Sequence, residues 1–226
     1  MKEELWLTWK DSISRIRYKI GILIKENSKY SFVYLNPELN DAKLVGFNYF
    51  PGFKDTNKKY ESNELFTNIA TRLPNETRPD YLEILNSYNL EKDDDEFRIL
   101  KATKGRTITD NYEFVPAFDT SKIEFDVAGT SHCEDIEKCK MYLKVNEKLY
   151  LEPEPENEKD PCAIKVLYRE KGNNYHLGYV PRYYSKELLN ELKKGAKYSA
   201  MIQSLNLESQ FNDENITAKV KLILNI

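Results

Sequence analysis

Histidine, cysteine and tryptophan are scarce in this chain, with two, three and two copies among 226 residues. With only His132 and His176 present, and no GxSxG elbow, nothing points to a Ser–His–acid triad. No GxxxxGK[ST] loop occurs; Lys104-Gly105-Arg106-Thr107 carries a single glycine and cannot wrap a phosphate chain, and GxGxxG is also missing. The cysteines are Cys133, Cys139 and Cys162, an odd number that argues against a disulfide scaffold and for a reducing compartment. With His132 they do not form the paired short spacings of a zinc site, so they read as three buried or partly buried thiols, and neither a metal nor a cofactor is expected. No run of 18 apolar residues is present, which excludes a spanning helix. The opening Met1-Lys2-Glu3-Glu4-Leu5-Trp6 lacks a signal-peptide core, so a cytoplasmic protein is expected.

What is present is core material and strand formers. Hydrophobic residues make up 40% of the chain and aromatics 12%, with 16 tyrosines, which favours folded β-structure over disorder. The net charge of −3 excludes a broadly basic nucleic-acid coat but not a local basic face. Residues 15–25 alternate with period two: Ile16, Tyr18, Ile20, Ile22 and Ile24 are expected on one face and Arg15, Arg17, Lys19 and Lys25 on the other. A turn at 26–29 and a returning strand at 30–35 complete a hairpin, and Trp6 and Trp9 are placed on a strand of the same sheet. Helices are expected over 62–71, capped by Ser62, after Pro79 with Tyr81, Ile84, Leu85 and Tyr88 as its stripe, and over 96–103.

Residues 115–121 read as a connector. Strands are expected after it at 122–128, 141–145, 148–151 and 163–168, followed by a helix at 185–194 capped by Ser185 and stopped by Gly195. Two strands close the chain, and in the last Ile216, Ala218, Val220, Leu222 and Leu224 alternate with polar residues. The expected fold class is α+β: a module over 1–115 with a small sheet and helices, then a β-barrel domain over 121–226 with one inserted helix.

Two adjacent segments differ in charge. Residues 151–160 hold five acids and one base; they read as a solvated loop stiffened by Pro153 and Pro155, because no glycine-centred calcium loop surrounds them. Residues 161–200 hold eight Lys or Arg against three Glu, a net of +5, interleaved with Tyr175, Tyr179, Tyr183, Tyr184 and Tyr198. Cations hold phosphates and aromatic faces stack on unpaired bases, so this is a usable single-strand surface; the plainer alternative is a solvated basic helix with core tyrosines.

Glu154-Pro-Glu-Asn157-Glu-Lys-Asp160-Pro-Cys-Ala163-Ile164-Lys-Val166, followed by Leu177-Gly178-Tyr179-Val180-Pro181-Arg182, resembles the HIRAN domain pattern EPxNxxDxxA[IV]xV … (I/L)Gx(V/L)P. Residues 125–132 are similar to that family's first strand and the loop after it. The resemblance implies an OB-like barrel that captures the 3′-hydroxyl end of single-stranded DNA, with Asp160 at the acidic position, Arg182 near the basic one, and Tyr179 just after the turn glycine. His132 falls where DNA-binding members carry the second residue of an Arg–Tyr pair. Lys159 replaces the aromatic before Asp160, and Ser131-His132 replaces the pair, which removes stacking worth about 1–3 kcal/mol per base.

In residues 1–115, Leu65-Phe66, Arg72-Leu73-Pro74, Arg78, Tyr81-Leu82, Leu85, Phe97, Leu100 and Gly105 are similar in order to the N-terminal subdomain of HipA-type toxin kinases, without its closing Gly-Asp-x-x-Gly. That resemblance implies docking to a protein partner. The expected function is non-catalytic binding of nucleic acid, single-stranded or frayed DNA ends, in a groove of His132, Asp160, Tyr179 and Arg182, with Lys186, Lys193 and Lys194 adding long-range attraction. The alternatives are a protein-interaction subunit of a toxin–antitoxin or defence complex, and a metal-dependent nuclease resting on the acids.

Overall fold

The computed structural model describes residues 2–207 and 216–223. The chain divides into two compact units, Met1–Ala117 and Phe118–Ile226. The first is a five-stranded antiparallel sheet in the order β4-β3-β2-β1-β5, from β1 (Lys2–Lys10), β2 (Arg17–Glu26), β3 (Lys29–Tyr34), β4 (Tyr60–Ser62) and β5 (Tyr112–Pro116). Its helices are short: α1 (Glu38–Leu44), α2 (Thr67–Ala70), α3 (Tyr81–Ser87) and α4 (Glu96–Thr103). The last opens on Asp95, whose carboxylate accepts the Arg98 N–H at 2.9 Å, an ordinary N-cap. Phenylalanines dominate the core, with Phe32 stacked on Phe53 at 4.4 Å, and the Tyr34 hydroxyl ties the same loop down by accepting from Phe50 N and donating to Phe53 O, both at 2.7 Å.

Several sequence expectations are corrected here. The hairpin forms, but the alternation of residues 15–25 breaks. Opposite Leu7 and Thr8 the partners are Gly21 and Lys19, so Ile20 is a bulged residue and the phase flips after it. Leu23, not Ile22 or Ile24, is then buried. Gly21 is needed beside the bulge, since a Cβ there would lie 2.6 Å from Phe32 Cζ. Residues 62–71 are not one helix: Ser62 ends β4, its hydroxyl accepts from Glu64 N in a turn, and only one helical turn follows. Residues 115 and 116 are strand, not connector, because Val115 pairs with Trp6 and is buried. In α3 the buried stripe is Tyr81 and Leu85; Tyr88 lies past the end and is exposed.

The second unit is a curled six-stranded antiparallel sheet in the order β6-β11-β10-β7-β8-β9, from β6 (Lys122–Asp126), β7 (Lys148–Pro153), β8 (Ile164–Glu170), β9 (Asn173–Tyr179), β10 (Lys197–Leu205) and β11 (Ile216–Ile223). It is OB-like: the two edge strands meet beyond β6, where Ala128 and Tyr179 exchange N–H···O bonds of 2.8 Å in both directions. Inward positions are apolar and buried, among them Ile123, Phe125, Leu149, Val166, Ala200, Ile202, Ile216 and Ala218. The side chains of Val220 and Leu222, and all of Leu224, lie outside the described residues. Helix α6 (Arg182–Lys193) brings Tyr184 against Phe125 and Phe118, at 6.3 and 6.1 Å. Residues 141–145 are turns, not a strand, with Met141 and Val145 exposed, and a short helix α5 (Asp135–Cys139) precedes them.

Closure requires Gly178. Its φ is +137°, and a Cβ there would strike the Ala128 carbonyl oxygen and lie 2.8 Å from Val127 Cγ1. Replacing Gly178 with Ala is expected to destabilise this unit by about 2–4 kcal/mol, from backbone strain plus overlap. Amide exchange at Ala128 and Tyr179 should accelerate with it. An unchanged circular dichroism melting midpoint and unchanged exchange would contradict this.

Candidate functional site

The outer face of β7, β8 and β9 is organised by register. One cross-strand row is Glu152, Lys165 and Tyr179; the next is Tyr150, Leu167 and His176. Glu154 continues the first row's edge, its N–H bonded to Ala163 O at 2.8 Å. Side chains from three elements meet on it: Lys165 Nζ at 2.5 Å, Tyr179 Oη at 3.0 Å and Asn157 Nδ2 at 2.7 Å. These donors hold the Glu154 carboxyl down at about 2, the Lys165 and Asn157 bonds foremost. Burial, together with the bond to Glu154, pushes the Tyr179 phenol up to about 12.

The loop that follows is held from inside. Asn157 Oδ1 accepts from Lys159 N at 3.0 Å and Asp160 N at 3.1 Å, an Asx-type turn. Asp160 Oδ1 accepts from Cys162 N and Oδ2 from Ser185 Oγ, both at 2.8 Å. Ser185 also donates to Arg182 O at 3.0 Å. The expected role of Ser185 as helix cap is therefore corrected: the helix begins three residues earlier, after Pro181, and Ser185 lies inside its first turn, joining helix to loop. Arg182 Nη1 reaches back to Lys159 O at 3.4 Å. Asp160, Ser185 and Arg182 thus form one corner, and Tyr179 stands in the strand that leads into it.

The other expected site residues are placed differently. Lys186 follows Arg182 by one helical turn and is exposed. Lys193 lies eleven residues beyond Arg182, about 16 Å along the helix, and Lys194 is ion-paired with Glu191 at 2.7 Å. These two are not at the corner. His132 is exposed in a 3-10 turn, Thr130–His132, which starts beside the Tyr179 ring: a Cβ on Gly129 would lie 4.0 Å from Tyr179 Cδ2. Among the described residues its ring has no hydrogen bond to Asp160, Tyr179 or Arg182. Of the interleaved tyrosines, Tyr183 and Tyr184 are core, and the Tyr198 hydroxyl is engaged by Leu151 N and O at 2.9 and 3.3 Å. Tyr183 and Tyr184 are therefore not stacking platforms.

His176 belongs to this face, though its sequence position carries no signal for it. Its ring meets Tyr179 edge-on at 4.8 Å, Nε2 lies 3.0 Å from Gly178 O, and Nδ1 lies 3.8 Å from Cys133 Sγ. Burial lowers its pKa, favouring the neutral ring. Glu154 and Asn157 are visible in the motif, but the hold on Glu154 depends also on Lys165 and Tyr179 from two other strands. Cys133, Cys139 and Cys162 are free thiols, and among the described residues no three His, Cys, Asp or Glu side chains gather to hold a metal ion. Also among the described residues, no helix is long and apolar enough to cross a membrane.

Residues 121–222 match the family model of the HIRAN domain. Among solved structures, the chain is similar to the HIRAN domain of human HLTF, at 16% identity over 46% of this chain and 75% of that one, with a TM-score of 0.36. It is also similar to a protein from Lactobacillus plantarum, at 22% identity over 45% of this chain and 92% of that one, with a TM-score of 0.35. No curated protein matches the chain.

The Glu154 cluster makes the unit acid-sensitive. A carboxyl depressed from 4.5 to about 2 contributes stability that is complete above pH 4.5 and is lost as pH falls toward 2. Glu154→Gln is expected to flatten that part of the stability–pH curve while lowering stability at pH 7. An unchanged acid limb, read by circular dichroism in urea, would contradict the assignment.

Proposed function

We propose that the HIRAN domain binds nucleic acid, single-stranded or frayed DNA ends, at the corner formed by Asp160, Tyr179 and Arg182, by recognition without chemistry. The observation that carries this reading is the state of Asp160. Its two oxygens each accept one internal bond, from Cys162 N and Ser185 Oγ, while an ionised carboxylate offers about four acceptor sites. A fixed carboxylate with acceptor capacity left over suits a hydroxyl donor and repels a phosphate. Arg182 beside it, and Lys186 one turn further along α6, suit the phosphate that lies one nucleotide inside a free 3′-hydroxyl. Tyr179 and His176 supply ring surface in place of the missing aromatic at Lys159, and the turn carrying His132 borders them. Lys193 and Lys194 contribute attraction at a distance.

The test is fluorescence anisotropy of labelled single-stranded DNA bearing a 3′-hydroxyl or a 3′-phosphate, at two salt concentrations, for the wild type and Arg182→Ala. The expected result is salt-sensitive binding, with a log–log slope near 0.7 per phosphate contact, that weakens in the variant and requires the free hydroxyl. Binding indifferent to the terminus would leave a general single-strand binder. No binding at low salt would overturn the reading and turn attention to a protein partner of residues 1–115, the HipA-like alternative.

A further inference from the structure

On the outer face that carries the corner, a second cluster lies further along the same strands. The Tyr150 ring of β7 has Arg169 Cζ over it at 4.0 Å and Lys148 Nζ at 4.9 Å. Continuing the printed register, in which Leu149 faces Tyr168, sets Lys148 opposite Arg169. Like charges opposite one another on neighbouring strands destabilise a sheet, and an aromatic face shared between them offsets only part of that. At the β8–β9 turn Lys171 adds a third cation, 4.9 Å from the Tyr142 ring. Among the described residues none of Lys148, Arg169 and Lys171 has a carboxylate partner, and what sets them apart from the unit's other unpaired lysines is the tyrosine ring each lies over. Three unpaired cations against two tyrosines, two of them opposed across a strand pair, form a surface prepared for an anion with flat groups attached.

We propose that Lys148, Tyr150 and Arg169 form a second contact for the same nucleic-acid strand, with the cations on phosphates and the exposed part of Tyr150 against a base. This rests on the reading that the Asp160 corner holds a strand end. Lys165, which borders the corner through Glu154, and Arg169 are four residues apart on β8, a separation of about 13 Å at the strand rise of ~3.3 Å. At the ~3.4 Å spacing of a stacked strand that is roughly four nucleotides, so a strand that stays stacked and is gripped at its end reaches the platform only when longer than that.

The experiment measures binding of a thymidine trinucleotide and a thymidine decanucleotide, both with free 3′-hydroxyls, to the full chain, to Lys148→Gln/Arg169→Gln, and to Asp160→Asn. The wild type is expected to hold the decanucleotide about tenfold more tightly than the trinucleotide. The double variant is expected to lose that gain, bind the trinucleotide within twofold of wild type, and show a salt slope lower by about 1.4 on the decanucleotide. Equal decanucleotide binding by wild type and double variant would overturn the platform and leave the corner intact. Decanucleotide binding that needs Lys148 and Arg169 but is indifferent to Asp160→Asn, with no trinucleotide binding, would overturn the corner and keep the platform. Loss of both in the wild type would overturn both. Competition by polyglutamate as effective as by the decanucleotide would also overturn the platform as a nucleic-acid contact.

Discussion

The candidate site depends on a pair of hydrogen bonds between Ala128 and Tyr179, made where the sheet of the second unit curls far enough for its two edges to meet. An open sheet would leave those edge groups unpaired and β9 free to twist away. Closure fixes the backbone of Tyr179, and with it the direction in which the phenol points. From there the hydroxyl reaches Glu154, the ring takes the edge of His176, and the chain turns at Pro181 into α6 with Arg182 first. Gly178 makes this possible, because no side chain fits between that strand and the Ala128 carbonyl.

The loop between β7 and β8 is the second fixed part. Its acids suggest a solvated, mutually repelling stretch, yet the ones that face the fold are all engaged. Glu154 is held by a lysine, an amide and a phenol, and Asp160 by a backbone amide and a serine hydroxyl. Asn157 folds the intervening turn onto its own side chain. A carboxylate held this way loses little entropy on meeting a ligand, which is the advantage of preorganisation. Glu154 and Asp160 therefore act as structural anchors, with acceptor capacity to spare at the Asp160 corner.

The HIRAN motif, the hairpin of the first unit and the helix over Glu96–Thr103 were legible in the sequence because each rests on local spacing. The phase error at Leu23 came from a bulge that depends on how β1 lies against β2, which no single-strand pattern carries. Ser185 reads as a cap from composition, but its hydroxyl is drawn to Asp160 across a gap of 25 residues. Tyr183 and Tyr184 look like stacking candidates in a basic segment and become core once α6 is laid on the barrel. The row that places Lys165 between Glu152 and Tyr179, and the one that places Tyr150 in line with His176, exist only in the register of three strands.

The most direct test of the central claim is to titrate nitrogen-15-labelled protein with a short single-stranded DNA carrying a free 3′-hydroxyl and follow every backbone amide. The account predicts that the largest shifts fall on Asp160, Cys162, Tyr179, Arg182 and Ser185, the groups that build and border the corner. Shifts confined to the β10–β11 face, or to residues 1–117, would contradict it.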